Sequence, residues 1–86
     1  MTKSLQTEFI LKDREVTEER YDEMLGVLPP ERMTGDAFLV GEAVDYGKDL
    51  SGKFLPRYEL YFMVCDKYYY GGLASTEDFD AFVIAQ

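Results

Sequence analysis

Histidine, tryptophan and asparagine are absent from this 86-residue chain, and cysteine occurs once, at Cys65. Without His, no Ser-His-Asp or Cys-His relay can be assembled. One thiol and no imidazole exclude a structural zinc site built by a single chain. A lone Cys cannot close an intrachain disulfide. No apolar run approaches the ~18 residues a membrane helix needs. Residues 1–8 lack the apolar stretch of a signal peptide. A soluble cytoplasmic protein with a reduced thiol is the expectation. Positive charge is scarce: 9 Lys and Arg stand against 17 Asp and Glu, for a net charge of −8. That sign disfavours direct contact with a phosphate backbone. There is also no Lys/Arg-rich amphipathic face for anionic lipid. Glycine-rich phosphate loops and the calcium-loop spacing are missing as well. No cofactor, no metal and no catalytic residue is expected.

Acid and aromatics are what the chain has, with 7 Tyr and 6 Phe. Its length predicts a single domain over residues 1–86, one that buries about 60–65% of its unfolded surface. Residues 8–12 alternate loosely and predict a strand, followed by a turn at residues 13–15. Thr17 is a good N-cap, and Glu18 and Glu19 suit the positive end of a helix dipole. Tyr21, Met24, Leu25 and Leu28 then form one apolar stripe, and Pro29-Pro30 stops the helix, which is predicted over residues 18–27. Residues 31–36 read as a polar loop and residues 37–46 as a strand, in which Gly41 marks a bulge or a close backbone approach. Residues 47–57 read as a mobile loop.

Residues 58–65 alternate strongly and predict a strand. Residues 67–70 continue it after a tight turn, up to Gly71-Gly72. Ser75 is a second N-cap, and Phe79, Phe82 and Val83 give helical spacing over residues 76–84. The order is β-α-β-β-β-α. It predicts an α+β fold: an antiparallel three- to four-stranded meander packed on one face by two amphipathic helices. The other sheet face is then partly open, carrying Tyr and Met residues.

The run Glu19-Arg20-Tyr21-Asp22-Glu23-Met24-Leu25-Gly26-Val27-Leu28-Pro29-Pro30, followed by Phe38-Leu39-Val40-Gly41-Glu42, resembles small uncharacterised proteins of proteobacterial plasmids and phages. In those, an "ERYDEML…LPP" helix precedes an "FLVGEP-DH" strand. The resemblance spans residues 19–83 and departs at Ala43 and Tyr46, where that family often has Pro and His. It implies a mobile-element setting, in which small acidic proteins include inhibitors of bacterial defence systems such as anti-CRISPR proteins.

Two sets of residues are candidates for partner binding. The first is the acidic face Glu18, Glu19, Asp22 and Glu23, whose Glu18/Asp22 and Glu19/Glu23 pairs repel at i, i+4. It serves either to dock on a basic groove or simply to keep the helix solvated. The second is the tyrosine set, from which Tyr61 and Tyr69 are expected outside the core as recognition anchors. Ordinary sheet packing is the alternative. Lys48, Lys53 and Arg57 make residues 46–57 a contact loop or a plain connection. Cys65 reads as a small strand residue, and Glu77, Asp78 and Asp80 as capping charges. The expected function is a non-enzymatic binding protein whose partner presents a basic, nucleic-acid-binding surface. A homo-oligomeric accessory protein, a homodimer for instance, and a small-ligand carrier are the alternatives.

Overall fold

The computed structural model describes residues 14–85. The expected strand at residues 8–12 lies outside them. Strand β1 is Glu15–Val16, where a turn was expected, and helix α1 is Glu18–Val27, matching the stripe. Thr17 is extended and its hydroxyl accepts the Arg20 amide at 3.1 Å. Leu28 is already extended ahead of Pro29-Pro30, so the helix stops there. Strands β2 (Arg32–Met33), β3 (Ala37–Leu39), β4 (Asp45–Lys48), β5 (Phe54–Val64) and β6 (Lys67–Ala74) follow, then helix α2 (Thr76–Ala85). Ser75 Oγ accepts the Asp78 amide at 3.0 Å and so caps α2 as its sequence suggested.

The strands form one six-stranded antiparallel sheet, in the order β1-β6-β5-β3-β2, with β4 also paired to β5. That exceeds the expected three to four strands. The extra ones are short or sit inside segments rich in polar residues, so period-two alternation did not mark them. Strand β2 lies within the expected loop at residues 31–36. Strand β4 pairs with the start of β5, from Asp45↔Arg57 to Lys48↔Phe54. The expected mobile loop is therefore a β-hairpin. Its turn is organised by Asp49, whose Oδ1 accepts the Ser51 and Lys53 amides, each at 3.0 Å, and the Ser51 hydroxyl at 2.7 Å.

The two helices lie on opposite faces of the sheet, not on one. Phe79, with Phe82 and Val83 of α2, packs on Ala37, Leu39, Leu60, Phe62, Tyr69 and Ala74. Tyr21, with Met24 and Leu25 of α1, packs on Phe38, Val40 and Tyr61, flanked by Tyr68 and Tyr70. Successive strand residues point to opposite faces. The runs Phe38-Leu39-Val40 and Leu60-Tyr61-Phe62 are apolar on both parities, so both faces need a cover.

Three backbone features complete the frame. Gly41 approaches the Pro29 carbonyl so closely that a Cβ there would overlap it, so a close approach is the correct reading of that glycine. The β5–β6 turn puts Cys65 at φ 51° and Asp66 at φ 66°. Such paired positive φ values match the twist of a two-residue hairpin. Gly71 is extra in β6: Leu60 faces Gly72 and Tyr61 faces Tyr70, a β-bulge.

Candidate functional site

Helix α1 turns Tyr21, Met24 and Leu25 to the sheet and leaves Glu18, Glu19, Asp22 and Glu23 exposed. The predicted acidic face is thus assembled by one helix, with two like-charge pairs four residues apart. Arg20 bonds Glu23 at 2.7 Å, and the Tyr68 hydroxyl donates to Glu18 at 3.2 Å. Charges from other elements also act on Tyr21 and on Tyr68. Burial pushes the Tyr21 phenol up first, and the nearby Tyr68, Asp36 and Asp22 push it further. Burial also raises Tyr68, followed by its bond to Glu18 and the charges of Glu18, Asp22 and Asp66. The β2–β3 turn (Asp36) and the β5–β6 turn (Asp66) therefore add their fields to that of α1.

Three basic residues are paired away from this face. Arg57 holds Asp45 in a two-pronged pair at 2.9 and 2.7 Å, which keeps the Asp45 carboxyl below its usual range. Lys53 reaches Glu77 at 3.1 Å and Arg32 reaches Asp80 at 3.6 Å. Glu77 thus ties the β4–β5 turn, and Asp80 ties strand β2, to α2, beyond the capping role expected of them. Asp78 does the same, accepting the Leu50 amide at 3.2 Å. Among the described residues, the Arg20–Glu23 pair alone neutralises a carboxylate of α1.

Tyr61 and Tyr69 are not surface anchors. Tyr61 is 3% exposed and Tyr69 8% exposed. Tyr61 stacks on Phe38 at 5.5 Å and Tyr69 on Phe62 at 5.4 Å. The expectation assumed an uncovered face, and the opposed helices remove it. The Tyr61 phenol is pushed up to about 12, by burial first and then by Glu59. The exposed aromatics lie on the hairpin instead: Tyr46 is 67% and Phe54 68% exposed. By register, Tyr46, Lys48, Phe54 and Pro56 share one hairpin face. A hairpin reading of residues 45–57 would have found them, since it pairs Tyr46 opposite Pro56 and Phe54 opposite Lys48.

Cys65 is exposed at the tip of the β5–β6 turn. Among the described residues no group of three His, Cys, Asp or Glu is placed to hold a metal ion. No helix among them is long and apolar enough to cross a membrane. Comparison with protein-family models, curated proteins and solved structures returned no match for this chain.

Proposed function

We propose that this chain is a non-enzymatic binding protein of a mobile element that inhibits a bacterial defence complex, in the manner of an anti-CRISPR protein. Its acidic α1 face would occupy a basic, nucleic-acid-binding groove of a partner protein. The carrying observation is charge segregation. The carboxylates Glu18, Glu19 and Asp22 have no ion pair among the described residues, while Arg32, Lys53 and Arg57 are paired around α2 and the hairpin. Spacing supports the same reading. Four helical residues rise about 6 Å, against about 7 Å of duplex axis spanned by two nucleotide steps of one DNA strand. The doublets Glu18/Glu19 and Asp22/Glu23 thus repeat at nearly a two-phosphate interval. An acidic surface also accelerates encounter with a basic groove. Tyr46 and Phe54 supply exposed aromatic area of the kind that anchors interfaces. The resemblance to plasmid and phage proteins supplies the setting.

The test is binding of the purified chain to a purified nucleic-acid-guided defence effector, with a DNA competitor and a salt series. Affinity is expected to fall as salt rises, and DNA and this chain should exclude each other. A variant combining Glu18→Gln, Glu19→Gln, Asp22→Asn and Glu23→Gln should bind at least tenfold more weakly and fail to restore plaquing by a targeted phage. Affinity that stays flat with salt, or is unchanged in this variant, would sink the electrostatic mechanism.

A second reading, self-association, is favoured by the exposed hairpin residues Val44, Tyr46 and Phe54. Light scattering after size exclusion decides it: a dimer lost on Tyr46→Asp supports this reading, and a monomer removes it.

A further inference from the structure

The β4–β5 hairpin extends past β6, which ends opposite Tyr58. Among the described residues β4 pairs with β5 alone, so its other long edge is open. The register tells which backbone groups face that edge. Asp49 donates its amide to the Lys53 carbonyl at 2.9 Å, so these two residues form a hydrogen-bonded pair. In an antiparallel ladder such pairs alternate with non-bonded ones. Counting back along the register, Gly47 and Asp45 turn their amides and carbonyls toward β5, and Tyr46 and Lys48 turn theirs away. The sequence demands the same phase, because Tyr46 lies opposite Pro56, which has no N–H to donate.

An open edge is a template for another strand. Three observations say which strand suits this one. The first is charge. The chain as a whole carries −8, but residues 44–57 hold Lys48, Lys53 and Arg57 against Asp45 and Asp49, for a net +1. A second copy of this acidic chain therefore meets little repulsion along the hairpin.

The second observation is register. Two β4 strands laid antiparallel about Gly47 bring Tyr46 of each copy opposite Lys48 of the other. That arrangement joins the outward groups of both residues in four hydrogen bonds. Centring the pair on Tyr46 would call on Val44, whose amide already goes to the Arg57 carbonyl at 2.8 Å. Centring it on Lys48 would set two lysines directly opposite each other.

The third observation is the side chains. The register about Gly47 sets the Tyr46 ring beside the Lys48 ammonium of the other copy, a favourable neighbour. It also brings Leu50 level with Val44. These apolar groups are exposed in the single chain: Tyr46 is 67%, Leu50 95% and Val44 54% exposed. At the axis the two backbones approach to about 4.5 Å, and Gly47 brings no side chain there. A Cβ on Gly47 would overlap the Arg57 guanidinium, which lies over the strand's face and not along its edge.

We propose that the open edge of β4 pairs antiparallel with β4 of a second copy, about a two-fold axis at Gly47, giving one sheet that spans both molecules. This inference rests on the self-association reading and names its interface. Edge pairing covers neither face of the sheet, so the acidic face of α1 stays available to a partner. Strand β4 is four residues long. The interface is therefore smaller than the ~1,200 Å² of a standard one, and a micromolar or weaker dimer is expected.

The test follows the mass of the chain by light scattering from about 10 µM to about 1 mM, together with amide hydrogen exchange at both ends of that range. The mass should rise toward a dimer, and the Tyr46 and Lys48 amides should gain protection as it does. The Gly47 amide, bonded within the hairpin, should be protected throughout. Lys48→Pro deletes an outward N–H at an edge, where proline is tolerated, and should weaken the dimer at least tenfold. Lys48→Thr keeps that N–H and should weaken it less than about fivefold. Protected Asp49 and Arg57 amides check that the hairpin survives in each variant. A dimer that persists in Lys48→Pro, or that leaves the Tyr46 and Lys48 amides unprotected, would overturn this interface while self-association stands. A parent chain that stays monomeric to the highest concentration would overturn both.

Discussion

Replacing Tyr69 by Ala should cost this fold about 3–5 kcal/mol, while the same change at Tyr46 should cost less than about 0.5 kcal/mol. The difference follows from position alone. Tyr69 is 8% exposed and stacked on Phe62 at 5.4 Å, whereas Tyr46 is 67% exposed on the hairpin. A tyrosine buries roughly 150–250 Å². At about 25 cal/mol per Å², that is about 4–6 kcal/mol as an upper bound. A chain of this length holds roughly 4–13 kcal/mol in total, so Tyr69→Ala removes a large share of it. Each kcal/mol shifts the melting point of a small domain by roughly 4–8 °C. Tyr69→Ala should then melt roughly 12–40 °C lower, and Tyr46→Ala within a few degrees of the parent. Tyr69→Phe keeps the stacked ring and should stay within about 1 kcal/mol. Urea unfolding followed by circular dichroism measures all three variants. If Tyr69→Ala melted close to the parent, Tyr69 would not be in the core, and the assignment of helices to opposite faces would fall with it.

The remaining predictions concern backbone and pH. Gly41→Ala forces a Cβ against the Pro29 carbonyl and should cost about 1–3 kcal/mol. Gly26→Ala meets nothing within 4 Å on α1 and should instead stabilise by about 0.5–1 kcal/mol in the same urea assay. Changing Cys65-Asp66 to Asn-Gly relieves two non-glycine residues at positive φ and should raise the melting point by a few degrees; a lower one would contradict the turn geometry. Tyr61 keeps its proton in the folded state up to about 12, against 10.0 for the free phenol. Its contribution is therefore complete below pH 10 and lost as pH rises to about 12, because the unfolded chain ionises first. Tyr61→Phe should flatten that part of the alkaline unfolding curve.

Local signals in the chain were strong where one residue type has one physical job. Thr17 and Ser75 were legible as caps, and the Pro29-Pro30 stop placed the end of α1. The strand through Leu60-Tyr61-Phe62 was legible in its core but began earlier than expected, because Pro56 and Arg57 read as loop chemistry. Nothing local announced that Phe54 pairs with Lys48. Hairpin formation at residues 45–57 depends on Asp49 closing a turn and on Asp78 and Glu77 receiving it from α2, a contact across more than twenty positions of sequence.

The candidate site divides along the same line. The acidic face of α1 needed only the helical period and the identities of Glu18, Glu19, Asp22 and Glu23, so the sequence by itself determined it. Tyr61 and Tyr69 were a different case, because alternation tells which residues share a face but not which face meets water. That choice belongs to the layer above the strand. With α1 on one side and α2 on the other, both tyrosines are buried, and exposure passes to Tyr46 and Phe54 on the β4–β5 hairpin. Charge behaves likewise. Composition set the net value of −8, but only the tertiary structure decided which carboxylates are neutralised, because an ion pair requires two side chains brought within a few ångströms by the fold.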